Sequence, residues 1–187
     1  MERRELIKMI AALTGGAFIG GSLLSGCRAE PQLGGIAFSN DDILFLDEVA
    51  ETILPATNTP GAKAAKVGEL MKTMVNDTYE EKDRQIFHTG ITTLNEACKK
   101  ATGKSFMDAT PEQRTTLLTT IDTEAKAWQK TKKEKDASHY FTMMKQLTLL
   151  GFFTSKEGAT QVLRYIAVPG KYEGDYPYKK GDKAWAT

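Results

Sequence analysis

The chain has 187 residues, 41% of them hydrophobic and 9% aromatic, a composition of ordinary globular proteins and unlike that of disordered or collagen-like chains. Its 25 Lys and Arg nearly balance 24 Asp and Glu, so no polyanion-binding surface is visible in the charge and no nucleic-acid partner is expected. Two cysteines, Cys27 and Cys98, lie outside any CxxC, CxxCH or Cys/His pattern with metal spacing, which argues against a disulfide scaffold, an iron–sulfur centre and a c-type haem.

The chain opens with MERRELIK, a charged segment, followed by MIAALTGGAFIGGSLL, an apolar run diluted by Gly15, Gly16, Gly20 and Gly21. This run is short for a permanent bilayer crossing, which takes about 20 residues. A charged start, a modest apolar run and small residues after it make a signal peptide, so residues 1–26 are expected to be removed. Arg3 and Arg4, with Leu6, Ile7 and Lys8 behind them, resemble the twin-arginine (Tat) export signal, although Glu2 stands where Ser or Thr is usual. The alternative is that the two arginines are the positive flank of a Sec signal or of an N-terminal anchor; either route exports the chain. Leu24, Ser25, Gly26 and Cys27 resemble the bacterial lipobox, in which cleavage before the cysteine exposes it for diacylglycerol attachment at sulfur. Cys27 is therefore expected to carry lipid. One acyl chain holds a protein only reversibly, at about 0.8 kcal/mol per buried CH₂, whereas two or three anchor it stably. The exported protein would lie on the periplasmic side of an envelope membrane, lipid-anchored without spanning it.

Residues 27–38 read as a tether, since RAEPQLGGIAF has Pro31 and a Gly34-Gly35 pair and no periodicity. The domain is expected over residues 39–187. Ser39, Asn40, Asp41 and Asp42 offer a cap and first-turn acids, after which Ile43, Leu46, Val49, Ala50, Ile53 and Leu54 make an apolar face that Pro55 ends. Thr59 with Pro60 predicts the start of a second helix presenting Ala64, Val67, Leu70, Met71 and Met74. A third is predicted over residues 79–101, with Ile86, Phe87, Ile91, Leu94 and Cys98 inward and Gly103 at its end. Thr110-Pro111-Glu112-Gln113 starts a fourth, carrying Leu117, Leu118, Ile121, Ala125 and Trp128 on one stripe. The segment SHYFTMMKQLTLLGFF, residues 138–153, is the most apolar of the exported chain, and Ser155 is expected to cap a sixth helix through Val162, Leu163, Tyr165 and Ile166. With period-two alternation absent, the fold class read from the sequence is all-α, an irregular bundle of about six helices with an extended aromatic C-terminal segment.

That last segment, VPGKYEGDYPYKKGDKAWAT, sets Tyr172, Tyr176, Tyr178 and Trp185 among glycines and prolines. It is too aromatic for a disordered tail and is expected to lie on a surface, either its own helical core or a partner's, where Tyr and Trp make large contacts at small entropic cost. The glycines of TGGAFIGG miss the GxGxxG spacing, so no nucleotide cofactor is expected in this chain. His88 and His139 fall in different helical segments without a metal-binding spacing, and Cys98 falls on the buried side of its helix.

ETILPATNTPGAKAAKVGELMKTMV, with its ILPxTxTPGA block, and LTLLGFFTSKEGATQVLRYIAVPGKYEGDYPYKKGDKAWAT resemble the gluconate 2-dehydrogenase subunit 3 family. The resemblance implies a non-catalytic accessory subunit of a membrane-associated sugar or polyol dehydrogenase. Its partner would be a large flavoprotein of the glucose-methanol-choline (GMC) oxidoreductase type that holds FAD, with a cytochrome c subunit often receiving the electrons. On this reading Arg3 and Arg4 serve export, Cys27 anchors, and the loop at Thr59, Pro60 and Gly61 with the tail at Tyr172, Tyr176, Tyr178 and Trp185 meets the partner. The alternatives are a small stand-alone periplasmic enzyme using His88 or His139, and a structural envelope lipoprotein.

Overall fold

The computed structural model describes residues 33–35, 37–134, 136–168 and 170–186. Helix α1, Asn40–Ile53, begins where the sequence predicts: the Ser39 hydroxyl takes the Asp42 N–H at 3.1 Å, and the Asp42 carboxylate takes the Ser39 N–H at 2.8 Å, a reciprocal capping box. Ile43, Leu46, Val49 and Ala50 are buried as their spacing predicts.

The second helix starts later than expected. Thr59 and Pro60 lie outside any helix; a 3₁₀ turn, Ala62–Ala65, comes first, Lys66 adopts a left-handed φ of 51°, and α2 runs over Val67–Thr78. The N–H groups that would have seeded a helix at position 60 are committed backwards: Ala62 donates to the Leu54 carbonyl at 2.9 Å and Lys63 to the Glu51 carboxylate at 2.8 Å. The long helix α3, Glu81–Thr102, ends at Gly103 with φ 73°, and α4, Pro111–Thr131, starts with a second capping box between Thr110 and Gln113. Trp128 departs from the predicted stripe of α4. It is 44% exposed, and its indole N–H donates to the Ala137 carbonyl at 3.1 Å, so it fastens the following turn instead of entering the core.

Helix α5, Tyr140–Thr154, packs against each of the other four α-helices and so buries Phe141, Met143, Met144, Leu147 and Phe152, while Leu149 and Leu150 stay exposed. Phe141, Met144, Leu147 and Phe152 on α5 join Phe45, Phe87 and Phe106 in one continuous core. At the α3–α5 crossing Gly90 lets the backbones close up; a Cβ there would sit 2.5 Å from that of Tyr140.

The predicted sixth helix is a single π turn, Gly158–Val162. Ser155 does take the Gly158 N–H at 3.0 Å, but the turn cannot propagate because Arg164 gives its N–H to the Ala184 carbonyl and accepts the Ala186 N–H, both at 2.8 Å. Tyr165 and Ile166, expected within that helix, lie outside it and are exposed. The described part of the stretch read as a tether is likewise tied down: the Thr92 hydroxyl donates to the Leu33 carbonyl at 3.0 Å, and Gly34 donates to Asp42 at 2.8 Å.

Candidate functional site

Glu48 and Glu51 lie in the last two turns of α1, where the helix dipole works against negative charge. Their partners explain the placement. The Glu51 carboxylate accepts the Ala56 and Lys63 N–H groups, both at 2.8 Å, and so closes the loop over residues 55–63 like a clamp. Gly61 is buried beneath it, and a Cβ there would overlap both carboxylate oxygens and come within 2.5 Å of the Ala56 nitrogen. Glycine at this position answers to space.

Glu48 pairs with Lys63 at 2.8 Å and with Arg114, whose guanidinium also donates to the Phe106 and Met107 carbonyls at 2.8 and 2.7 Å and lies over the Phe106 ring. Burial pushes the Glu48 carboxyl upward, but Lys63 and Arg114 outweigh it and leave its pKa below the ordinary value. Burial keeps the neighbouring Asp47 above its ordinary value, against the Gly68 N–H that it accepts at 2.7 Å. Of the loop residues expected to meet a partner, Thr59 and Pro60 are half-buried, Gly61 is buried, and Pro55, Ala56, Thr57 and Asn58 form the outer surface. Glu48, Glu51 and Arg114 were not singled out by the sequence reading. The available signal was the acid pair three residues apart at the wrong end of a helix.

The tail folds on itself around Arg164. Its guanidinium lies 4.5 Å over the Trp185 ring and 5.6 Å over Tyr176, those two rings meet edge-on at 5.4 Å, and Asp182 approaches the guanidinium at 3.8 Å. These groups line a groove of about 520 Å³ that Tyr172 and Tyr178 also border. Tyr172 is 96% exposed and Tyr178 76%. Among the described residues, no hydrophobic side chain beyond Val162 packs against the buried core.

The two histidines have separate settings. His139 is the N-cap of α5, its Nδ1 accepting the Phe141 N–H at 3.2 Å. His88 is buried under Phe38, ring centres 4.2 Å apart, with Nδ1 lacking a hydrogen-bond partner, beside a cleft of about 360 Å³ lined by Gly34, Asn76, Arg84 and Gln85 among others. Burial lowers the pKa of both. Cys98 is a buried free thiol. Among the described residues no three His, Cys, Asp or Glu gather as a metal site would, and no helix is long and apolar enough to cross a membrane. Arg3, Arg4 and Cys27 lie outside the described residues.

The architecture is thus an all-α bundle with a clamped loop at one end of α1 and an aromatic tail held apart from the core. The family model for gluconate 2-dehydrogenase subunit 3 matches residues 40–170, and the chain belongs to that family. Comparison with curated proteins and with solved structures returns no match.

Proposed function

We propose that the chain is the accessory subunit of a gluconate 2-dehydrogenase-type complex, and that it binds a GMC-type flavoprotein, escorts it through Tat export and fastens it to the membrane through lipid on Cys27. The flavoprotein would hold FAD and oxidise gluconate or a related sugar, a cytochrome c subunit would take the electrons, and this chain would contribute contact surface and anchor.

The observation that carries the reading is family membership over residues 40–170. Two features support it. Tyr172 and Tyr178 stand in solvent on a segment that does not close the core, an arrangement suited to hot-spot contacts. The Arg3-Arg4 pair and the lipobox ending at Cys27 suit export and anchoring.

The test is co-expression of the tagged full-length chain with the flavoprotein. The expected product is a complex with one FAD-containing large subunit that reduces an acceptor dye when given gluconate, while the chain alone does not. Gluconate oxidation by the chain alone, or no association with the flavoprotein, would overturn the proposal. Changing Tyr172 and Tyr178 together to Ala is expected to weaken capture about 30-fold, equivalent to about 2 kcal/mol, without changing the unfolding midpoint.

A further inference from the structure

Leu33 and Gly34 are a fixed point on the bundle. The Gly34 N–H donates to Asp42 Oδ1, and Asp42 is fully buried and holds the N–H and hydroxyl of Ser39 as well. Gly34 takes a left-handed φ of 74° so close to α3 that a Cβ would overlap the Thr92 hydroxyl and lie 2.7 Å from the His88 carbonyl. Leu33 packs against the core with its carbonyl on Thr92, and Phe38 covers His88 and meets Phe87 edge-on.

Cys27 precedes Leu33 by six residues. A chain spans at most about 3.5 Å per residue, so lipid on Cys27 lies within roughly 20 Å of this point whatever the path between them. Helix α1 runs away from the same point for 14 residues, a distance of about 20 Å. The clamped loop, at the other end of α1, is correspondingly remote.

We infer that the face made by the start of α1 and the first half of α3, around Asp41, Gln85 and Thr89, is the one laid against the bilayer, and that the loop over residues 55–61 points away from it toward the partner. The inference rests on Cys27 being the lipid-attachment point. Asp41, Gln85 and Thr89 are exposed and polar, and Arg84 beside them pairs with Glu81. The face is held near the headgroups by the short reach of the chain, not by insertion of an apolar wedge.

The test uses full-length protein recovered from membranes, with acylation of Cys27 read from the mass of the N-terminal peptide. Thr89→Cys and Asn58→Cys, both at exposed positions, each carry a thiol-linked fluorophore, Cys98 being buried and shielded. The protein is placed in phosphatidylcholine vesicles containing headgroup spin-labelled lipid. The probe at 89 is expected to lose about half its emission and the probe at 58 almost none. Inserting a Gly/Ser segment of about 20 residues before Pro31, with a mean span of about 25 Å, is expected to remove that difference. Equal quenching at the two positions, or stronger quenching at 58, in acylated protein without the insertion would overturn the orientation and leave the anchor standing. Unmodified Cys27 would overturn both.

Discussion

Glu51 shows how one carboxylate can hold a loop. It sits where the dipole of α1 opposes it, and two convergent N–H groups from the loop compensate. Glu51→Ala leaves both donors without their acceptor and is expected to cost about 2 kcal/mol in urea unfolding; Glu51→Gln, which keeps one acceptor oxygen, loses less. His88 gives the second residue-scale expectation. Its pKa lies below 6.5 in the folded chain because burial favours the neutral ring; Asp42 and Glu81 oppose the shift and Arg84 adds to it. As pH falls below 6.5 the unfolded chain takes up a proton that the folded chain refuses, so stability falls in that window. His88→Phe is expected to flatten this slope, with His139, shifted the same way, supplying what remains. The variant should hold or raise stability at neutral pH, since it removes a buried nitrogen with no partner. Unfolding free energies measured across the window check both points.

Among the elements, α5 is central, and at its crossing with α3 Gly90 leaves no room for a side chain beside Tyr140. Gly90→Leu drives a side chain into Tyr140 and is expected to destabilise by about 3 kcal/mol, seen as a lower urea midpoint. Helix starts were legible where a cap is a local pattern: Ser39 with Asp42 and Thr110 with Gln113 form the capping boxes that their spacing implies. The helix start expected at Thr59-Pro60 and the expected sixth helix fail to form for one reason. In both places the backbone groups a local helix would use are taken by distant ones, from Glu51 and Leu54 in the first case and from Ala184 and Ala186 in the second. The spacing places Trp128 on the stripe of α4, but its indole N–H is taken by the Ala137 carbonyl beyond the helix end.

At the scale of the whole molecule, the hydrophobic core closes without side chains from the tail. A chain ending at Leu163 keeps every side chain of the core, so its unfolding free energy is expected to stay within about 0.5 kcal/mol of the full chain. The same truncation is expected to abolish capture of the flavoprotein, which separates a binding role of the tail from a structural one. A large fall in stability on truncation would assign the tail to the fold instead.

The sequence by itself determined the helical class, most of the buried stripe on α1, α3 and α4, the residues of the two capping boxes and the family, because these depend on periodicity and on motifs a few residues long. The tertiary structure alone decided that Glu51 clamps the loop, that Gly34 is fastened to α3, that His139 caps a helix while His88 is left unpaired, and that Arg164 gathers the tail. The Glu51 clamp, the Gly34 fastening and the tail around Arg164 pair groups that only chain reversal brings near, as Thr92 meets Leu33, and no local pattern encodes which of many equivalent donors arrives.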